Sequence, residues 1–250
     1  MFRSIILGKK EQGEADELVV FFSRELGLLR GIAKNARKSR IRFAGRLEPL
    51  SIVELNLRTR KKDDLVWIDD SEMIEAYPNI RSDPVRLAWS TYFLEIAYLL
   101  LAEAHPEPHI FDLTHEFLER LDKIVPPVFI LILHEIRLLA VIGYGPRFDS
   151  CPVCGKAFEP SDRAMFSPLF GGACHLSCVP DPQSRDVELS PSTLAIVRRG
   201  LQTDPETAKR LRLSNAGQKE LRAALSHFVR YLRSGEVNSL VFLEKFVFPD

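Results

Sequence analysis

The sequence has no cysteine outside residues 151–178, no net charge and no apolar run long enough to span a bilayer. Each absence excludes something. Lys and Arg total 34 and Asp and Glu total 34, so the chain is not one that coats nucleic acid over its whole surface. A local patch still depends on where the charges sit. The most apolar stretch, Pro126 to Gly145, is broken by His134, Glu135 and Arg137 and predicts a buried helix instead of a membrane span. The first residues, Met1 to Glu14, lack the apolar core of a signal peptide, which predicts a cytoplasmic protein. No Gly-x4-Gly-Lys-Ser/Thr loop occurs, so nucleotide hydrolysis by this chain is not expected. No Gly-x-Ser-x-Gly elbow, internal repeat or low-complexity linker occurs either.

What is present is concentrated. The four cysteines fall as Cys151-x2-Cys154 and Cys174-x3-Cys178, with nineteen residues between the pairs and His175 inside the second. Two thiolates two residues apart can bite one metal from a tight turn, and a second pair closes a tetrahedron. Gly155 suits the sharp turn of the first pair, and Gly171-Gly172 lets the chain swing back. The expectation is a structural zinc in a module at about residues 148–180. A disulfide or a redox pair fits less well in a reducing compartment. The fourth ligand has two candidates: Cys174, which gives an all-cysteine site and leaves no free thiol, and His175, which restores an x-x spacing to Cys178. Cys174 is the slightly favoured one, giving Cys151, Cys154, Cys174 and Cys178.

Residues 1–80 read as strands: Phe2–Leu7, Glu17–Phe22, Leu28–Ala33, the alternating Ile52–Arg58, and one opening at Leu65–Ile68. Five short strands in this length predict a small closed barrel such as an OB-fold. Residues 81–250 read as helices. Ser82 with Pro84 predicts a start, Ile110 to Ile124 a second helix, and Val128 to Ile142 a third, stopped by Gly143. Ser190-Pro191, Asp204-Pro205 and Ser214 open later ones, and the apolar tail from Ser239 to Phe248 is expected to dock on the helical core. The predicted class is therefore α+β and multidomain: an N-terminal OB-fold barrel, then a helical domain with an inserted zinc module.

Seven cations, Arg30, Lys34, Arg37, Lys38, Arg40, Arg42 and Arg46, lie between Glu25 and Glu48 with no acidic residue among them. Cations without neighbouring carboxylates suit phosphates, so this stretch is the candidate nucleic-acid surface. Its only aromatic is Phe43, which predicts little contact with bases. Lys9-Lys10 and Arg58 with Arg60 to Lys62 are weaker extensions. In the helical part Arg137, Arg198, Arg199, Arg210, Arg212, Arg222, Arg230 and Arg233 rim apolar faces that suit an acidic peptide. One enzyme pattern needs weighing. His105-x-Glu107 followed by Cys151-x2-Cys154 has the layout of a zinc nucleobase deaminase. Ser150 replaces the usual proline, the second cysteine pair would be idle, and a closed four-ligand zinc leaves no place for an activated water. The residues therefore favour a binding protein over an enzyme, with an RNA-binding barrel carrying a structural zinc as the rival.

Taken together the chain resembles the RecO family of DNA repair and recombination proteins over essentially its whole length. The resemblance is carried by Leu7-Gly8, Gly13 to Asp16, the run Gly27 to Arg37, Leu47-Glu48-Pro49, Gly143 to Pro146, Cys151-x2-Cys154-Gly155, Phe166-Ser167-Pro168 and Gly171-Gly172, in that order and spacing. It implies an OB-fold, a helical C-terminal domain and often a zinc module. It also implies a recombination mediator that binds single- and double-stranded DNA and anneals complementary strands. Such a protein would pair with RecR and contact the acidic C-terminal tail of single-strand-binding protein, so that RecA can load. Lys34, Arg37 and Lys38 would belong to the DNA surface. Family members usually carry Gly-Gly-x-x-Cys-x-x-Cys, and an ungapped reading here puts His175 at the first cysteine position. One ligand stays open on that basis too.

Overall fold

The computed structural model describes residues 1–39, 41–59, 65–233 and 236–247. The chain forms two compact units, Met1–Ile124 and Val125–Asp250. In the first, strands β1 (Phe2–Gln12), β2 (Asp16–Ser23), β3 (Gly27–Ala33), β4 (Ile52–Thr59) and β5 (Leu65–Glu75) make a closed barrel in the order β1-β2-β3-β5-β4. The parallel pairing of β3 with β5 and the antiparallel pairing of β1 with β4 complete the closure. β1 carries an irregularity between Ile6 and Gly8, the kind of bend a barrel strand needs to turn a corner. The interior follows the two-residue period of the strands: Ile6, Val19, Phe21, Ala33, Val53, Leu55 and Ile68 face inward. Phe43 and Leu47, from the segment between β3 and β4, plug this core.

Three helices belong to the same unit: α1 (Pro78–Ser82), α2 (Pro84–Leu100) and α3 (Pro108–Lys123). The α2 start differs from the expected one. Asp83 is its N-cap, its carboxylate accepting from the amides of Val85 and Arg86, while Ser82 closes α1. Phe93 of α2 stacks on Phe117 of α3 at 4.0 Å, and Phe22 on the outside of β2 meets Phe111 at 5.7 Å. The segment before α3 also seals the start of β3, because the Ala104 amide donates to the Leu28 carbonyl. Gly27 sits there at φ +81, and a Cβ on it would lie 2.1 Å from the His105 carbonyl oxygen. Gly27→Ala combines a left-handed backbone with a collision against main chain. It is expected to cost about 2 kcal/mol or more in urea unfolding, and a loss under about 0.5 kcal/mol would contradict this packing.

The second unit is built on α4 (Val128–Ile142), capped at its end by Gly143 at φ 99. A three-stranded sheet in the order β7-β6-β8 follows, from β6 (Ala164–Ser167), β7 (Gly172–His175) and β8 (Val187–Leu189). Then come α5 (Pro191–Gln202), α6 (Pro205–Ala208), α7 (Asn215–Arg233) and α8 (Asn238–Val247). Ser190 caps α5 as its sequence predicted. α7 packs against α4, α5 and the small sheet. Phe166 of β6 joins them, stacked on Phe148 and edge-on to Phe228 of α7. Among the described residues no helix is long and apolar enough to cross a membrane.

Candidate nucleic-acid interface and metal centre

The basic stretch forms the end of β3 and the turn after it. Asn35, at φ 56, breaks the strand into a single 3-10 turn, Ala36–Lys38, with buried Ala36 anchoring it and Arg37 and Lys38 exposed. The Asp16 carboxylate accepts from the Asn35 amide and holds this corner. Seven cations adjacent in sequence thus reach very different surroundings. Lys38 is exposed with no acidic partner among the described residues. Lys34 stands on the outside with its Nζ 4.4 Å from the centre of the Trp67 ring. Arg37 pairs with Glu11 at 3.0 Å and Arg30 with Glu103 at 2.6 Å, both in the open. Exposed pairs contribute little, so a phosphate can displace either carboxylate at small cost.

Arg42 and Arg46 do something else. Arg42 donates to the carbonyls of Asp69 and Lys34, and Arg46 to those of Ser71 and Arg42. They tie the segment between β3 and β4 onto β5. Arg40 lies outside the described residues. The weaker candidates are engaged too. Arg58 makes a two-pronged pair with Asp69, and Lys9 sits between Glu17 and Glu48. Burial pulls the Lys9 ammonium down, but the carboxylates of Glu48 and Glu17 outweigh it and hold its pKa above the ordinary value. Arg60 to Lys62 are outside the described residues. Phe43, the one aromatic within the stretch, is buried in the barrel.

The arginine rim of the helical part is dispersed by tertiary packing. Arg222 is buried and bonded to Glu135. Arg137 donates to the carbonyls of Gly200 and Thr203, and Arg198 to that of Phe158.

In the second unit Cys151, Cys154, His175 and Cys178 come together, one ligand atom from each lying within 4.8 Å of every other. The first two arise from a knuckle: the Gly155 amide donates to the Cys151 carbonyl, and Gly155 takes φ +74, which a side chain would resist. The other two come from the end of β7 and the 3-10 turn Leu176–Cys178. Cys174, the slightly favoured fourth ligand, is not in the set, and the structure places His175 there. The His175 ring and the Cys174 thiol both reach Cys151 of the knuckle, but only His175 completes the set of four. Cys174 turns into the core, fully buried, with its thiol 3.7 Å from the Gly172 carbonyl.

The donor chemistry fits a tetrahedral ion. His175 Nδ1 is 3.4 Å from Cys154 Sγ, close to the edge of about 3.5 Å expected when S and N ligands stand about 2.3 and 2.0 Å from one metal. His175 Nε2 faces Asp162 at 3.6 Å, an outer carboxylate of the kind that orients a ligating imidazole. Burial pushes the Cys151 thiol up, but the amides of Cys154, His175 and Val153 and the His175 ring outweigh it and bring it to about 6. Burial and the adjacent Cys151 push Cys174 up to about 12, so it stays a neutral thiol. His105 and Glu107 of the deaminase pattern belong to the first unit and pair with each other at 3.2 Å. Neither joins the cluster.

Fold and site define an OB-barrel protein whose helical second half carries a Cys3His cluster able to hold a metal ion. The family model described as recombination protein O N terminal matches residues 1–77, and the one described as recombination protein O C terminal matches residues 81–240. Three curated relatives, each named DNA repair protein RecO, are similar over nearly the whole chain. The one from Syntrophotalea carbinolica is 32% identical, covering 97% of this chain and 93% of its own. That from Syntrophobacter fumaroxidans is 31% identical over 97% and 96%. The one from Syntrophus aciditrophicus is 30% identical over 96% and 93%. The chain belongs to the RecO family of DNA repair proteins.

Proposed function

We propose that this protein is a non-enzymatic recombination mediator acting on DNA in the cytoplasm. The reading rests above all on Lys34, Arg37 and Lys38, which stand outward on one corner of a closed barrel. These three, with Arg30 and Arg40, bind phosphates of single and double strands. Arg42 and Arg46 hold the segment that presents them. Cations shared between two strands lower their repulsion, so complementary bases pair. Pairing needs no ATP, in keeping with the missing phosphate loop. The family resemblance supports the rest: RecR as partner, the acidic tail of single-strand-binding protein as docking segment, and RecA loading as outcome. Cys151, Cys154, His175 and Cys178 hold a structural zinc with no position left for an activated water.

The test is annealing of complementary DNA coated with single-strand-binding protein. Arg37→Glu with Lys38→Glu should abolish most of it. The dependence of log affinity on log salt should flatten by about 1 for each phosphate that is no longer neutralised. Affinity and slope unchanged across salt concentrations would remove the patch from the mechanism. Preference for RNA without DNA annealing would favour the RNA-binding rival. Ammonia release from cytosine or adenine substrates that Glu107→Ala abolishes would instead mark a deaminase.

A further inference from the structure

Where β5 passes into α1 beside the end of α3, within the first unit, lies an open cavity of about 260 Å³. Its charge is negative: Glu75, Glu119 and Asp122 line it with carboxylates, against the ammonium of Lys123. Asp122 is held in place, accepting from the Ile80 amide at 2.9 Å and from the Asn79 side chain at 3.2 Å. His115 faces Glu75 at 3.6 Å. Tyr77, also in the lining, joins β5 to α1 at φ 48, a left-handed backbone that a bulky residue resists. Its hydroxyl is buried and closes no well-formed hydrogen bond, with the Glu75 carboxylate beside it. Burial first, and then Glu75, push its pKa above the ordinary value, so it stays neutral. A buried hydroxyl left without a bond is costly, and here it borders an open cavity from which a partner can come.

We infer that this cavity receives an arginine side chain of a partner protein. The guanidinium donates to the Tyr77 hydroxyl oxygen and to the Glu75 and Glu119 carboxylates, and its stem lies against Ala76 and Pro78. The carboxylates repel phosphates, so the site is separate from the DNA surface and does not depend on it.

The arrangement of the oxygens selects this ligand over a metal ion. Among the described residues only the cysteine–histidine cluster brings its donors close enough together for one ion, and the cavity carboxylates do not. A guanidinium carries five N–H groups in a planar fork and can span oxygens that a point cation cannot. Lys123 already pairs with Glu119 at 2.5 Å and holds that carboxyl below its ordinary pKa. That pair is exposed, one turn apart on α3, so an incoming arginine can displace the lysine at small cost.

The experiment is a titration of the full chain with the peptide acetyl-Gly-Arg-Gly-amide, followed by backbone amide NMR shifts. Saturable shifts are expected at Ala76, Tyr77 and Asp122. The same peptide with citrulline, which keeps the shape and loses the charge, should give none. The lysine peptide should bind about tenfold more weakly, lacking the fork. Tyr77→Phe keeps the ring, removes the hydroxyl and should weaken the arginine peptide about tenfold. Lys123→Gln should do the opposite and tighten it about threefold, because the competing ammonium is gone. No saturable shift at these amides, equal binding of the arginine peptide and either control, or weaker binding by Lys123→Gln would each overturn the proposal. Magnesium chloride that shifts the same amides and displaces the peptide would mark a simple cation site and overturn it as well.

Discussion

Treated with a strong chelator, the protein is expected to release one zinc ion per chain and to lose order in its second unit. Metal bound only by the folded state stabilises it by about 4 kcal/mol when free metal exceeds its Kd a thousandfold. For a unit of this size that is a fall in Tm on the order of 10 °C. His175→Ala should lose the metal and reproduce the fall, because the imidazole supplies the fourth donor. Cys174→Ala should keep one zinc and cost about 1 kcal/mol, as expected for truncating a small buried side chain. Metal analysis of the two variants decides between the ligands: zinc kept by His175→Ala and lost by Cys174→Ala would restore the all-cysteine site. Acid works in the same direction. The folded Cys151 thiol is held at about 6, below its ordinary value, so its thiolate contributes stability at high pH. That contribution is lost as pH falls through about 6, and metal binding weakens with it.

The second large effect lies in the core of the same unit. Glu135 of α4 is fully buried and takes two bonds from Arg222 of α7, at 2.5 and 3.0 Å, while Arg222 Nε also donates to Ser226 at 3.3 Å. Truncating one partner leaves the other charge in a medium that cannot solvate it. Arg222→Ala should therefore destabilise the protein by about 3–5 kcal/mol in urea unfolding. Joint replacement by apolar residues of similar volume, Glu135→Leu with Arg222→Met, should recover most of that loss, because a buried pair contributes little net stability over good packing. A single variant within about 1 kcal/mol of the unaltered protein would show that water reaches the pair. The pair joins α4 to α7 across 87 residues of sequence.

Local pattern carries a good deal. The barrel is legible because alternation along β1 to β5 is a one-dimensional signal that the core face reads directly. The ends of α4 and the Ser190 cap of α5 are legible for the same reason: a proline, a serine or a glycine acts within its own turn. The start of α2 lies one residue beyond the expected cap. Ser82 and Asp83 are both good caps, and the choice falls to Asp83 because the chain leaves the barrel through α1, whose last residue is Ser82. The knuckle at Cys151 is plain from spacing, whereas the fourth ligand is not. Cys174 and His175 are neighbours on β7 and both reach Cys151, so spacing alone does not choose between them.

The sequence by itself determined that a barrel would precede a helical region, that a cluster able to hold a metal would lie within residues 151–178, and that cations would crowd the end of β3. Those properties depend on neighbours a few residues apart. Only the tertiary structure decided what each charge does. Arg222 looks like one more rim arginine until Glu135 meets it in the core, and Arg42 and Arg46 find carbonyls on β5 that the linear stretch does not reveal. Trp67, which has no role in the linear pattern, reaches Lys34 through the parallel pairing of β3 and β5. A charge takes its role from the partner nearest in space, and that partner is set by strand register and helix packing over separations no local pattern can read.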